Sequence, residues 1–114
     1  MALSEIVRKV VDSKVSKFCQ DRIPPHARDQ VRLHYKIRGY FVTLIESRPS
    51  YFEKDVWIDI PAAQFRYDEK SNQWSLFWPD RNSRWHEYYD CDSSHDIDDL
   101  IREVDEDPSC VFWG

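Results

Sequence analysis

The sequence contains very little glycine: only Gly39 and Gly114 occur among its 114 residues. Loops that wrap backbone amides around a phosphate need several glycines, because their tight turns require positive φ angles and close backbone approach. The two glycines are far apart in the chain. The common nucleotide-binding classes with a glycine-rich loop are therefore excluded.

Cysteine is also scarce, and its spacing carries no metal-binding signature. Cys19, Cys91 and Cys110 form no CxxC pair and no cluster with histidine. Zinc sites are built from closely spaced Cys and His ligands, so we predict no metal site and no cofactor. An odd number of distant cysteines is typical of reduced thiols in a cytoplasmic protein, with one disulfide as the alternative.

Long apolar runs are absent as well. No stretch approaches the ~20 apolar residues of a membrane-spanning helix, and residues 1–17 are too highly charged to form a signal peptide. We therefore expect no membrane association. The length predicts a single domain over residues 1–114, and five Trp, six Tyr and six Phe supply the apolar area for its core.

The net charge of −5 is unevenly distributed. Residues 90–114 carry nine acids and Arg102 as their single base, whereas the rest of the chain has a small excess of bases. The overall charge argues against a strong nucleic-acid binder, since neutralisation of phosphates dominates such affinity. A local basic face remains compatible with this composition, and the acidic stretch is typical of a solvated helix face.

Apolar residues at three- and four-residue spacing predict two amphipathic helices, one near each end of the chain. The first runs from Leu3 to Gln20, with Ser4 as a candidate cap, and ends before Pro24-Pro25. The second follows Ser93 or Ser94 and ends before Pro108. Their predicted apolar stripes are Leu3, Ile6, Val7, Val10, Val11, Val15 and Phe18 for the first, and Ile97, Leu100, Ile101 and Val104 for the second.

Between the helices the apolar period changes to two, which predicts strands. Residues 31–38 and 41–48 form a hairpin around Gly39-Tyr40 in this interpretation. Further strands are predicted for a short segment ending at Pro61 and for residues 63–67, 74–78 and 84–89. The predicted same-face pairs of the hairpin are Ile37 with Val42, Tyr35 with Leu44, Leu33 with Glu46 and Val31 with Arg48.

The connections between these strands are too short for crossover helices, so the strands must be antiparallel. The sequence therefore predicts an α+β fold, in which an antiparallel meander of four to five strands has both helices packed on one face.

Glu46 and Arg48 are unexpected on the apolar face of that hairpin. Buried charges are costly unless they are paired, so an ion pair at the rim of the sheet is the structural interpretation. The functional interpretation is an anion site in which Arg48 donates two parallel hydrogen bonds and Glu46 orients it.

A second cluster combines arginine with tryptophan between residues 78 and 86. Arg81 and Arg84, beside Trp78 and Trp85, are candidates for stacking on a base. Asp80 lies at a turn, where it normally bonds to its own backbone. His86 is the best candidate for proton transfer, although a lone histidine on a strand more often serves packing. On the neighbouring strand, Arg66 and Gln64 are expected to face away from Phe65.

A set of short motifs extends over nearly the whole chain, from Leu3 to Gly114. The motifs are Ile23-Pro24-Pro25-His26, Asp29-Gln30-Val31-Arg32-Leu33, Ser47-Arg48-Pro49, Ala63-Gln64-Phe65-Arg66-Tyr67, Trp74-Ser75-Leu76-Phe77-Trp78, Asp80-Arg81-Asn82, Arg84-Trp85-His86 and Phe112-Trp113-Gly114. Together they resemble a bacterial family of domains of unknown function, DUF3024. The resemblance implies a compact bacterial domain without an assigned activity, and it favours testing Arg48, Arg66, Asp80, Arg81, Trp85 and His86.

Three functional hypotheses follow from these residues. The first is a non-catalytic binding or interaction module that holds a protein or an anionic ligand at its Arg/Trp-rich rim. The second is a nucleic-acid-binding or RNA-cleaving domain, with His86, Glu46 and Arg48 as acid/base and phosphate groups. The third is a metal-free enzyme acting on a small metabolite. The candidate patch for the first is Glu46, Arg48, Arg66, Asp80, Arg81, Arg84, Trp85 and His86.

Overall fold

Two α-helices and five strands follow one another in the order α1, β1 to β5, α2 in the computed structural model, which describes residues 2–113. The strands form one antiparallel sheet in sequential order, so the predicted α+β meander between two helices is confirmed. A 3₁₀ turn at Pro25–Ala27 follows the first helix. The elements are α1 (Glu5–Arg22), β1 (Arg32–Arg38), β2 (Phe41–Pro49), β3 (Trp57–Asp68), β4 (Gln73–Pro79), β5 (Trp85–Glu87) and α2 (Ile97–Glu106).

Helix α1 is capped as predicted, and Leu3, Val11 and Val15 of the predicted stripe are buried, but Ile6 and Val10 are exposed. The Ser4 hydroxyl accepts a hydrogen bond from the amide of Val7 at 3.3 Å. Ile6 is 77% exposed, so its assignment to the apolar stripe was wrong. The buried line of the helix is Val11, Val15 and Cys19. The contact face is determined by β1 and α2, against which α1 packs, and periodicity alone cannot specify that rotation.

The N-cap of helix α2 lies two or three residues after the predicted caps, Ser94 and Ser93. Asp96 is the N-cap, and its carboxylate accepts a hydrogen bond from the amide of Asp98. Ser94 bonds to the carboxylate of Asp99 at 2.7 Å instead, so the assignment of Ser93 or Ser94 as the cap was wrong. Serine and aspartate both cap helices well, and Asp96 is the one that directly precedes the first helical residue, Ile97. The predicted buried stripe of Ile97, Leu100, Ile101 and Val104 is confirmed.

The acidic surface of α2 is partly neutralised by basic residues of α1. Lys14 Nζ lies 2.9 Å from carboxylate oxygens of both Asp96 and Asp98. Arg22 pairs with Asp105 at 2.7 Å. These exposed pairs hold the two helices side by side on one face of the sheet, with a modest contribution to stability.

The C-terminal tail packs onto its own domain. Asp107 has a φ of 44°, and its carboxylate accepts hydrogen bonds from the amides of Val111, Phe112 and Trp113. The Trp113 indole donates to the carbonyl of Val104 at 2.7 Å, and the guanidinium of Arg22 lies 4.0 Å from the centre of its ring. Phe112 thereby becomes part of the core.

The first hairpin has the predicted register over most of its length. Leu33 faces Glu46, and Gly39 has the positive φ, 59°, that a two-residue turn requires. The predicted pairing of Val31 with Arg48 was wrong, because β1 begins at Arg32, which pairs with Ser47. Strand β2 continues to Pro49 beyond the end of this ladder.

Strand β3 is longer than the sequence predicted. The predicted loop is present over residues 51–56, and one twelve-residue strand replaces the two strands predicted between that loop and Tyr67. Its pairing with β2 shifts by one residue between Ala63 and Pro61, so Ala62 is the extra residue of a bulge. A bulge accommodates proline because the ladder is interrupted there, whereas Pro61 was interpreted as the end of a strand.

The two faces of the sheet differ in what covers them. The covered face packs against both helices through Val42, Leu44, Phe65 and Leu76. The opposite face, here called the open face, has neither helix upon it. Its side chains come from alternate positions of every strand: Arg32, His34, Lys36, Arg38, Phe41, Thr43, Ile45, Ser47, Trp57, Asp59, Gln64, Arg66, Asp68, Phe77, Trp85 and Glu87.

Candidate functional site

The structure does not bring the eight candidate residues into one patch. It distributes them over three places, two of which lie away from the open face. These are the distal end of β2 on the covered face (Glu46, Arg48), the open face (Arg66, Trp85) and the β4–β5 turn with the start of β5 (Asp80, Arg81, Arg84, His86).

Glu46 and Arg48 form an ion pair at the rim of the covered face. Arg48 Nε lies 2.5 Å from Glu46 Oε1, and the Arg48 side chain is 59% exposed. A shallow depression beside the pair is lined by Phe112 and Trp113 of the tail. Exposed pairs of this kind contribute about 0–1 kcal/mol. This geometry agrees with the interpretation of Glu46 and Arg48 as an ion pair at the rim of the sheet, rather than as an anion site.

Asp80 organises the turn that precedes β5. Its Oδ1 accepts hydrogen bonds from the amides of Asn82 and Arg84, and its Oδ2 lies 2.8 Å from His86 Nε2. The bond to His86, followed by that to the Arg84 amide, lowers the pKa of Asp80 to about 2. The His86 ring also stacks on Trp78 with 4.8 Å between centroids. His86 is thus held by a turn carboxylate and an aromatic ring.

The acid/base trio of the RNA-cleaving hypothesis is not assembled. Glu46 belongs to β2 and His86 to β5, and strands β3 and β4 lie between them. Three strand spacings of about 4.8 Å place them on the order of 14 Å apart across the sheet. The carboxylate partner of His86 is Asp80, and the cationic partner of Glu46 is Arg48. No shared reaction centre results from these residues.

Arg66 occupies the middle of the open face. Its guanidinium lies 3.8 Å from the ring centre of Phe77 and 4.5 Å from that of Phe41, within the range of cation–π attraction. Its Nε donates to Gln64 Oε1 at 2.7 Å, and Gln64 Nε2 donates to Thr43 Oγ1 at 3.0 Å. The guanidinium is therefore oriented by two rings and a hydrogen-bond chain.

Strand β1 contributes a row of basic side chains to the same face. Arg32, His34, Lys36 and Arg38 alternate along it, which spaces neighbours by about 6.8 Å. The guanidinium of Arg32 lies 3.9 Å from the ring centre of Trp57, which repeats the Arg66 arrangement at the other end of the face.

A groove of about 670 Å³ lies between the basic row and Arg66. Three cations, Lys36, Arg38 and Arg66, line it, and no acidic residue does. Its floor is formed by Thr43, Ile45 and Gln64, and Phe41 and Trp85 also border it. Ile45 and Gln64 are only 9% and 6% exposed although no helix covers them, so the face is concave.

Within residues 2–113 the cations of the open face form no ion pair, a property that they share with several basic side chains elsewhere, such as Lys17 and Arg84. Within residues 2–113, every ion pair involves residues off this face: Lys14, Arg22, Arg48, His86 and Arg102 with their carboxylates. Arg32, Lys36, Arg38 and Arg66 form none among those residues. Asp59, Asp68 and Glu87 lie on the face but outside the groove, and Asp59 bonds to Ser47.

The protonation state of Arg66 does not change at neutral pH. Burial lowers the pKa of its guanidinium, and the negative charge of Glu87 acts in the opposite direction. Arginine nevertheless stays charged in proteins because its pKa lies far above neutrality. A positive charge held among rings without an acidic partner is suited to an anionic group.

Sequence reasoning placed Arg66 and Trp85 in the candidate patch but missed Lys36, Arg38, Phe41 and Phe77. The signal for the first two was present, since basic residues fill the polar positions of β1. Such positions are usually interpreted as solvated. The two phenylalanines also occupy the polar phase of their strands, where an aromatic ring indicates a surface with a further role.

Two further properties concern the described residues only. Residues 2–113 contain no group of three His, Cys, Asp or Glu side chains arranged to hold a metal ion. Neither helix among them combines the length and the apolar character that crossing a bilayer requires.

The thiols of Cys19, Cys91 and Cys110 are all free, and burial raises the pKa of Cys19 to about 12.

Comparison with known proteins identifies the family. The family model described as "Domain of unknown function (DUF3024)" matches residues 3–114. The chain therefore belongs to this family, as the resemblance of its motifs implied. No curated protein and no solved structure matches the chain.

Proposed function

We propose that this DUF3024 domain is a non-catalytic binding module, whose open face takes an anionic ligand in the groove between β1 and Arg66. The observation that carries the proposal is the position of Arg66. Its guanidinium is fixed between Phe41 and Phe77 and has no carboxylate partner within residues 2–113.

A charge held in this way is suited to binding. The side chain has already lost much of its rotational freedom, so less entropy is lost when a ligand binds. Its nearest neighbours are uncharged, so an incoming anion displaces no competing carboxylate. Lys36 and Arg38 at the other wall of the groove add attraction from a second direction.

The acidic C-terminal helix supports this assignment by its location. Helix α2 packs on the covered face, where α1 partly neutralises it through Lys14 and Arg22. The negative charge that dominates the whole-chain balance is thus separated from the groove by the sheet. Repulsion of an anion by α2 is further reduced by salt, since a Debye length is about 8 Å at physiological ionic strength.

The test is a titration of the domain with inorganic polyphosphate in low salt, in which isothermal titration calorimetry measures the affinity. Arg66→Gln and Arg38→Gln are each expected to weaken binding about tenfold, the loss of one charge-assisted contact. Arg48→Gln is the matched control, because it removes one exposed arginine from the covered face.

Equal weakening by all three variants would mean that only net charge matters, and it would refute a site on the open face. Absence of binding to the wild-type domain would refute the proposal outright.

A further inference from the structure

The open face carries a second property beside its charge, which is a set of aromatic rings at the level of the groove. Phe41 is 40% exposed, and Trp85 borders the groove beside it. The Arg66 guanidinium lies between the rings of Phe41 and Phe77, and the rings of Phe41 and Trp85 together form a stacking surface beside this cation. An acidic peptide or a free phosphate would leave these rings unused.

The basic row runs along one side of this stacking surface. Phe41 follows Arg38 across the two-residue turn and pairs with it, so the exposed ring and the terminal cation of the row are neighbours. A linear ligand with charges along its backbone and flat groups to one side can contact both at once. That description fits single-stranded nucleic acid, whose bases stack on aromatic and arginine planes while cations track its phosphates.

We infer that the ligand of the open face is single-stranded nucleic acid, with its phosphates at Lys36, Arg38 and Arg66 and one or more bases stacked at Phe41 and Trp85. This inference rests on the proposed function, because it names the class of anion which that site takes. A paired duplex fits poorly, since its bases are stacked on one another and are not free to contact the rings.

The number of cations that line the groove predicts how the affinity for a single strand depends on salt concentration. Three cations line the groove, and each phosphate neutralised on a single strand changes the logarithm of affinity by about −0.7 per logarithm of salt. A slope of about −2 is therefore expected, and Arg38→Gln should make it shallower by about 0.7.

The experiment compares three probes by fluorescence anisotropy: a labelled oligothymidylate of about a dozen nucleotides, a polyphosphate of similar charge and an oligoglutamate. The key variant is Phe41→Leu, which keeps an apolar side chain and every cation but removes the exposed ring. Because Phe41 also contacts the Arg66 guanidinium, the variant is judged by selectivity: oligothymidylate binding should fall about fivefold or more relative to polyphosphate binding, the loss of one base stack. Thermal unfolding of the variant checks that the domain stays folded.

The outcomes separate the inference from the proposed function. Selective loss of oligothymidylate binding in Phe41→Leu, with the expected salt slope, supports the inference. Equal affinity for oligothymidylate and polyphosphate, unaffected by Phe41→Leu but weakened by Arg38→Gln, overturns the inference and leaves an anion site. Preference for oligoglutamate overturns it in favour of an acidic protein segment. Failure of all three probes to bind overturns both proposals.

Discussion

The covered and open faces of the same sheet are built from alternate residues of the same strands, yet the charges on these strands have different partners. At the rim of the covered face Glu46 pairs with Arg48, and Lys14 of α1 pairs with acids of α2, although Arg8 and Lys17 of α1 form no ion pair within residues 2–113. On the open face, Lys36, Arg38 and Arg66 make no ion pair within residues 2–113.

The two faces therefore contribute differently to the stability of the fold. Burial of Val42, Leu44, Phe65 and Leu76 beneath the helices supplies the apolar contribution to stability. The open face has several polar or charged side chains whose removal would cost the fold little. The proposed binding site therefore rests on the position of Arg66 between two rings and on the exposed ring of Phe41 beside it, because cations without an ion pair also occur elsewhere within residues 2–113.

The largest effect should come from a matched pair of phenylalanines on neighbouring rungs. Phe65 is fully buried on the covered face, and Phe41 is 40% exposed on the open face. Phe65→Ala should lower the free energy of unfolding by about 3–5 kcal/mol, and Phe41→Ala by about 1 kcal/mol. Urea unfolding measures both. Similar losses at the two positions would show that the faces do not differ as described.

The next effect concerns Asp107, which fixes the tail on the covered face. Asp107→Ala removes three amide hydrogen bonds and leaves a residue less suited to its φ of 44°, so a loss of about 2 kcal/mol is expected. Asp107→Asn keeps one acceptor oxygen and tolerates this φ, so it should lose about half as much. Both values come from denaturant unfolding. A neutral Asp107→Ala would mean that the tail is held by Phe112 and Trp113 alone.

A pH effect is expected at the β4–β5 turn. Because the hydrogen bond with His86 lowers the pKa of Asp80 from 3.8 to about 2, the folded state binds this proton more weakly than the unfolded state does. The resulting stabilisation is present above about pH 4 and is lost as the pH falls towards 2. NMR titration of the Asp80 carboxyl should give a midpoint near 2, and His86→Gln should raise it. A midpoint near 4 would contradict the bond.

The smallest effect should come from the rim pair. Arg48→Met replaces an arginine that is 59% exposed, so the free energy of unfolding should change by about 0.5 kcal/mol or less, in either direction. Anion binding by the open face should not change at all. Calorimetry of unfolding and of polyphosphate binding checks both statements, and a loss of binding would return Arg48 to the site.

The features predicted correctly from the sequence are those that depend on the spacing of nearby residues. The period-two alternation and Gly39 gave the register of β1 with β2, and the period of α2 gave its buried stripe. The bulge at Ala62 was missed because Pro61 normally ends a strand, and only pairing with β2 reveals that the strand continues. The exposure of Ile6 was missed because helix rotation is decided by tertiary contacts.

The candidate site was harder to predict for the same reason. The alternation of basic residues along β1 is visible in the sequence. Which face of the sheet the helices cover, however, is decided by tertiary packing. Trp85 was found through the Arg/Trp cluster of residues 78–86, and Arg66 through the resemblance of its motif to the family. Their neighbours Phe41 and Phe77 come from different strands, and only the order of the strands brings all of them around Arg66.

The central claim is that the open face is the binding face. An ¹H–¹⁵N correlation spectrum of the domain, titrated with the short oligothymidylate, tests it residue by residue. The account predicts the largest shifts at Lys36, Arg38, Phe41 and Arg66, with helices α1 and α2 almost unchanged. Shifts concentrated in α2 or in the tail around Phe112, or no shifts anywhere at saturating ligand, would contradict it.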